Sequence, residues 1–481
     1  MIEAFITAGV LAVLVVSMLR SSKKMNLITQ LHAIIIVALA GYVLSRPGLP
    51  VYLWSRNLFL DAFSAYEILL AGIMFWLAAL YARGYNESLI NAGELDPKNV
   101  RLFYAAFNGL LFSMVLAFSA NDLALLWIFA ELSTVMSALL IILLNAKENI
   151  VAAMKYVFIT SIAMVFSFLG LILLFALTRL GDGYGTLKWD LLMQNAGNLP
   201  PQLFMVSFSL LFIGFAAKAG LAPFHIWLPA AHSKAPSNVS AILSSSVISV
   251  GIYALVRVFS LARQNDGVYP FASGLLIIFG VITVAIAALS MIVRTNLKKL
   301  IAFSSVEGMG IMALGIGLGS HVGLYWVLFL IGVHSLVKAL MFFSAGIIQR
   351  QYHSAKADSI HSLFILQPLP AMGLVIGSLA LIGAPLLPLF LPKLFILSQL
   401  ASRSIVLLFI VLVMLVIAAT AFVMFLLRII VPREKLPARY FVPLSMRSPV
   451  IILLVIVLII GLIIPDSLDK VLERIVGQLG W

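Results

Sequence analysis

Apolar runs of about twenty residues, separated by short polar stretches, recur along the whole of this 481-residue chain. A run of that length is what an α-helix needs to cross the hydrocarbon core of a bilayer. The pattern predicts about fourteen spans, at 2–19, 27–44, 58–81, 102–119, 122–144, 150–177, 203–222, 238–262, 270–293, 298–317, 321–347, 365–390, 404–428 and 447–464. Only Ser119-Ala120-Asn121-Asp122 divides the fourth from the fifth. The longest polar connections, 82–101 and 178–202, are too short for separate domains. Near the end, Leu468, Val471, Leu472, Ile475 and Val476 recur at helical spacing opposite Asp469, Lys470, Glu473 and Arg474, which predicts a short interfacial helix. The fold class is therefore an all-α polytopic membrane protein.

Composition agrees: 63% of residues are hydrophobic and 10% charged, the balance of one integrated membrane domain. Glu3 stands where a signal peptide carries basic residues, and no small-residue cleavage site follows, so the first span is expected to be retained. The net charge of +13 lies in short loops, where it reports topology and offers no basic domain for nucleic acid. Loops after odd-numbered spans, Lys435 included, hold about eighteen Lys and Arg against about nine after even-numbered spans. That bias puts the odd loops in the cytoplasm and both termini outside, in a cell membrane. With no cysteine, the chain has no disulfides and no cysteine-ligated metal centre; electrons of any associated redox machine would travel in other subunits.

Two spans carry the pattern of a broken helix. In Lys218-Ala219-Gly220-Leu221-Ala222-Pro223-Phe224-His225-Ile226-Trp227-Leu228-Pro229, a lysine inside span 7 precedes a glycine and two prolines. In Gly383-Ala384-Pro385-Leu386-Leu387-Pro388-Leu389-Phe390-Leu391-Pro392-Lys393, the prolines of broken span 12 again accompany a lysine, at or near membrane depth. An ionisable residue at membrane depth costs roughly 2.5–3.5 kcal/mol on insertion scales and marks an ion or proton path. Interrupted segments at corresponding places mark transporters built from repeats. The chain is divided accordingly into 1–101, the first three spans; 102–263 and 264–428, two inverted repeats of about five helices with broken helices 7 and 12; and 429–481, the last span and amphipathic tail.

Further ionisable residues lie within the spans. Glu131 in span 5 has no partner nearby on its own helix, so it is expected to pair with a cation elsewhere, Lys218 being the first choice. In such a pair the carboxylate favours the ammonium and desolvation the amine, so a moving field would load or release a proton; the alternative is a static tie between helices. His334 and Lys338, four apart on span 11, share a face suited to a proton relay, while His225 and His232 flank the first break. The alternative for each histidine is a hydrogen-bonded packing role. Glu307 lies deep in span 10, whereas Lys298 sits nearer its edge and Lys155 near the start of span 6, where both could simply anchor a helix. Asp61 and Glu67 of span 3 fall outside both repeats, which suggests contact with a partner subunit.

From Lys218 to Pro236 the chain reads Lys, then Ala-Pro-Phe-His-x-Trp-Leu-Pro-x-Ala-His-x-x-Ala-Pro. With Glu131, Lys393, Ala339-Leu340-Met341-Phe342-Phe343 and Lys299-Leu300-Ile301-Ala302-Phe303-Ser304-Ser305, it resembles the antiporter-like membrane subunits shared by respiratory complex I, Mrp-type cation/proton antiporters and energy-converting membrane-bound hydrogenases. Ser304-Ser305-Val306-Glu307-Gly308-Met309-Gly310 looks like the hydrogenase-4 component F version. The resemblance implies a proton (or sodium/proton) translocating subunit of a multisubunit oxidoreductase, with no cofactor of its own. The implied partners are other membrane subunits and a peripheral redox arm carrying nickel–iron or iron–sulfur centres. The residues and the resemblance together give as candidate path residues Glu131, Lys218, His225, His232, Glu307, His334, Lys338 and Lys393, with Lys155, Ser249 and Lys298 secondary. Ser249, Gly308 and Leu330 depart from the family pattern, standing where relatives often carry titratable groups. A free-standing Mrp-type antiporter subunit, a non-conducting scaffold and a self-sufficient solute transporter remain as alternatives.

Overall fold

The computed structural model describes residues 1–182, 185–433 and 436–481, so Lys435 lies outside the described residues. The chain opens with α1 (Ile2–Met18) and α2 (Ser22–Ser45), then a hairpin of β1 (Val51–Leu53) and β2 (Leu58–Leu60), paired antiparallel with Val51 opposite Leu60. Next come α3 (Ala62–Asn91), α4 (Val100–Phe118), α5 (Leu123–Ile142), α6 (Lys147–Asp182), α7 (Trp189–Asn195) and α8 (Pro201–Ala219). After a break follow α9 (Trp227–Lys234), α10 (Ser237–Ile242), a π-turn (Leu243–Val247) and α11 (Ile248–Arg263). The second half runs through α12 (Tyr269–Ile292), α13 (Leu297–Gly317), α14 (His321–Tyr352), α15 (Leu363–Leu366), α16 (Pro368–Ile382), α17 (Phe390–Arg403) and α18 (Ile405–Ile430). It closes with α19 (Leu444–Leu462) and α20 (Asp466–Gln478).

Among the described residues, twelve helices are long and apolar enough to cross a membrane, and Ile2–Met18 and Pro368–Ile382 are shorter apolar helices. Short polar side chains set many starts. Asp61, Asp122, Asn296 and Ser320 each accept a backbone N–H of the first turn of α3, α5, α13 and α14, a bond typically contributing about 1 kcal/mol. The protein's centre is made by the Ser237–Arg263 span with α13 and α14, whose apolar windows are wholly buried. In contrast α18 and α19 bury only 22% and 28% of theirs and leave Phe409, Val416 and Ile459 outward, as lipid-facing helices do.

Three features differ in kind from what the sequence predicts. Residues 58–60 form β2, because the chain enters through a hairpin whose edge bonds to Ser119 and Ala120 before Asp61 caps α3. Helix α3 continues to Asn91, since Ala82, Tyr85 and Leu89 prolong its buried stripe into the expected connection. The tail helix forms, but Leu472, Ile475 and Val476 are buried within the protein. It is pinned by Tyr325 to Asp469 (2.6 Å), Ala62 N–H to Gln478 (2.9 Å) and Arg474 to the Pro47 carbonyl (3.0 Å).

Candidate functional site

Helix α8 stops one residue after Lys218. Gly220 takes the left-handed conformation (φ 76°), and the Gly220 and Leu221 N–H groups bond back to Ala217 (3.1 Å) and Ala216 (2.9 Å). Trp227, at the start of α9, donates to Ala217 O (2.9 Å) and holds the break closed, while Pro229 sits inside α9's first turn instead of breaking it. Lys218 therefore lies in the last turn of a half-helix, where the peptide dipoles favour a cation. It is fully buried, and its Nζ donates to Ala130 O (2.9 Å), Ser133 Oγ (2.8 Å) and Thr134 Oγ1 (2.7 Å) on α5. Gly251 permits this placement, because a Cβ there would meet Ala219 N at 2.3 Å and the Lys218 carbonyl carbon at 2.8 Å.

The expected direct Glu131–Lys218 ion pair is not formed. Three acceptors already use the three ammonium protons. Glu131, one residue on from Ala130, is turned about 100° round α5. There its Oε2 accepts from Ser161 Oγ on α6 (2.8 Å), and Oε1 is buried without a partner. The two charges share one helical turn of α5 without touching.

The second half repeats the receptor. Lys338 Nζ donates to Ile301 O (3.0 Å) and to Ser304 Oγ on α13. In both receptors the hydroxyl three residues on bonds back to the same carbonyl: Ser133 to Ala130 (2.7 Å) and Ser304 to Ile301 (2.9 Å). Each lysine thus occupies a carbonyl–hydroxyl notch on a neighbouring helix. Lys393, on α17 after the second break, reaches back to Leu381 O at the end of α16 (2.6 Å) and forms an ion pair with Glu307 (2.7 Å). Gly383, at φ 87°, caps α16 as Gly220 caps α8. So the closed buried carboxylate–lysine pair is Glu307–Lys393.

Serines connect the centre. Ser244 Oγ meets Ser305 Oγ (2.7 Å), Ser335 Oγ donates to Ser245 O (3.0 Å), and Ser249 Oγ bonds Ser245 O (2.8 Å), all at the π-turn. π-Turns inside helices are frequent at functional sites. His334 is buried with both ring nitrogens unpartnered and lies against Gly308, where a Cβ would meet its Cε1 at 2.7 Å. It shares a face with Lys338, yet no bond joins them. His232 is buried, its Nδ1 against Ser240 O (3.2 Å) and its ring stacked on Phe342 at 5.4 Å; His225 is nearly buried beside Phe303.

Two secondary candidates separate. Lys298 is 2% exposed, with Nζ on Ala235 O (2.5 Å), so it is no surface anchor. It borders an open recess of about 700 Å³ lined by Glu94, Lys234, Arg294, Lys299 and Lys356. Lys155 is exposed on α6 and is not brought to Glu131 or Lys218; it lines a separate recess with Lys147 and Glu148.

The sequence alone does not single out Arg257, which falls near the end of the span at 238–262. It is 1% exposed within α11. Its guanidinium meets Asp61 at 2.7 and 2.8 Å and lies 4.4 Å from the Trp189 ring and 4.8 Å from that of Phe59. Asp61 is thereby consumed inside the chain, which removes it as a partner-subunit contact. Ser133, Thr134, Ser161 and Ser304 were also missed; small hydroxyls beside Glu131 and before Glu307 were the only signal for Ser133, Thr134 and Ser304, and Ser161, on another helix, had none.

Broken α8 presents Lys218 to a notch on α5, continuous α14 presents Lys338 to the matching notch on α13, and Glu307–Lys393 closes the second break: the architecture is that of a multi-pass membrane subunit with ionisable groups buried among its spans. Residues 120–420 match the transmembrane family described as NADH:quinone oxidoreductase/Mrp antiporter, and the chain belongs to that family. It is 31% identical over 346 residues to a hydrogenase-4 component F homolog of Methylacidiphilum infernorum, covering 72% of each chain. It is 29% identical over 357 residues to hydrogenase-4 component B of Escherichia coli, spanning 51% of that longer protein. It is also 29% identical to NAD(P)H-quinone oxidoreductase chain 4-2 of Synechocystis, spanning 60% of it. Among solved structures, it is similar to a chain of the membrane-bound sulfane sulfur reductase, an archaeal respiratory membrane complex (TM-score 0.88, 22% identity, 99% and 97% of the two chains). A chain of the Mrp complex from Dietzia sp. gives 0.83 at 18% identity, covering 99% and 96%. One of respiratory complex I from Thermus thermophilus gives 0.78 at 21%, covering 96% and 97%.

Proposed function

We propose that this chain is a proton-translocating, or sodium/proton-translocating, antiporter-like subunit of a multisubunit energy-converting oxidoreductase. The observation that carries the reading is the pair of broken spans, each with a buried ammonium at the carboxyl end of a half-helix, Lys218 at α8 and Lys393 at α16. Glu131 and Lys218 form the first gate. The carboxylate, held beside Lys218 by Ser161, biases the ammonium without trapping it. In the second half, Lys338 in its notch, unpartnered His334 and the Glu307–Lys393 pair carry the charge onward. Lys298 borders the basic recess, His225 and His232 carry protons onward from it, and Ser249 stands among the connecting hydroxyls. The two halves act as inverted repeats, 102–263 and 264–428, with both termini on the outer face of the cell membrane.

Moving one charge against 100 mV costs about 2.3 kcal/mol, so net pumping requires a driving reaction outside this chain. Membrane partners and a peripheral arm with nickel–iron or iron–sulfur centres would supply it; the hydrogenase-4 relatives and the respiratory complexes above support this assignment. Purification through a tag on this chain from its native membrane tests the reading. Co-purifying redox subunits are expected. Small membrane subunits alone would point to a free-standing antiporter, and a lone chain would overturn the assignment.

A further inference from the structure

One buried ionisable residue is used by none of this. Glu67 of α3 is 2% exposed, and its Oε1 has no hydrogen-bond partner. An unpaired carboxyl at membrane depth is expensive and is retained where it serves a path.

Its direction follows from its neighbours. Three residues earlier, Ser64 Oγ meets Tyr253 OH of α11 (3.1 Å), and four earlier, the Phe63 ring lies 4.7 Å from Tyr253. Eighteen residues later, a whole number of turns, Tyr85 OH donates to Ser237 Oγ at the start of α10 (3.2 Å). Glu67 therefore lies on the face of α3 that packs along the Ser237–Arg263 span. The two run antiparallel: Asp61 meets Arg257 and Ser64 meets Tyr253. Continued one turn, that register sets Glu67 level with the region of Ser249, beside the π-turn, which with α10 packs against α3. That span also lies between the two lysine clusters, Gly251 touching the Lys218 backbone and Ser244 touching Ser305 beside Ser304. On this face of α11 the titratable and charged groups are Tyr253, whose hydroxyl meets Ser64, and Arg257, whose guanidinium pairs with Asp61. At the level of Glu67, α11 itself offers only hydroxyls.

We infer that Glu67 is a proton-carrying residue at the centre of the path, its carboxylate accepting a proton from one cluster and releasing it toward the other through water and the Ser246 and Ser249 hydroxyls. The inference rests on the translocation reading above. The test is the purified complex in liposomes, with proton uptake followed by a pH-sensitive dye. Glu67→Gln keeps shape and polarity, and uptake should fall about 100-fold, the low end of what a positioned proton-transfer group contributes. Adding Ser249→Glu, which returns a carboxyl from the opposite helix, should recover uptake. Infrared difference spectra on turnover should show a carboxyl band that Glu67→Asp shifts; this arm decides the matter if Glu67→Gln does not assemble. Undiminished uptake in Glu67→Gln, or a band that Glu67→Asp leaves in place, overturns the inference. Absence of uptake in the unaltered complex overturns the translocation reading instead.

Discussion

Removing the charge from Glu307 or Lys393 singly should damage the protein far more than removing both. Their polar atoms meet at 2.7 Å, and the side chains are 3% and 7% exposed. Two unit charges at that separation attract by about 6 kcal/mol at an effective dielectric constant near 20. Desolvation offsets much of this, so the pair adds little net stability over an apolar pair, but an orphaned partner costs about 3–5 kcal/mol. Glu307→Gln leaves Lys393 its bond to Leu381 O (2.6 Å). Lys393→Met strands both the carboxylate and that carbonyl, so it should be the worse of the two. The assay is a double-mutant cycle on the purified complex: thermal midpoints of wild type, each single variant and the double variant, read by size-exclusion of the tagged chain. Each single variant should melt well below wild type and the double variant close to it, with a coupling of about 3 kcal/mol or more. Single effects that sum within about 0.5 kcal/mol would refute the pair as an energetic unit.

Other consequences can be checked together. Thr134→Val removes one of the acceptors of Lys218 at constant volume, so proton uptake should change while the complex still assembles; an unchanged rate would mean the notch does not tune the lysine. Gly251→Ala drives a Cβ into the Ala219 backbone and should cost about 1–3 kcal/mol, seen as a lower thermal midpoint together with slower uptake. Arg257→Ala leaves Asp61 buried and unpaired and should reduce the amount of assembled complex, with a loss of about 3–5 kcal/mol that Asp61→Asn in the same chain partly relieves.

The spans were legible because a bilayer imposes both length and apolarity on a helix, and those properties lie in consecutive residues. The breaks after Lys218 and before Lys393 were legible for the same local reason, since glycine and proline punctuate a run wherever they fall. What one helix does with the next was not. Glu131 and Lys218 are both mid-span, but the rotation of α5 against α8 decides whether they touch, and neither sequence carries that phase. Arg257 near the end of an apolar run reads as a flank; only its partner Asp61, 196 residues away, makes it a core residue. The notch at Ser304 was hidden because a serine in a membrane helix can satisfy itself on its own backbone. Glu67 suggests a contact for another subunit only because its span lies outside the proposed repeats; the packing of α3 against α10 and the π-turn turns it inward.

Whether Lys218 carries the translocated charge is decided by the assembled complex with Lys218→Ala, reconstituted in liposomes. Electron transfer and proton uptake should be measured on the same preparation. The complex should remain intact and still transfer electrons but no longer take up protons with them. Coupled uptake at the unaltered rate would contradict that role.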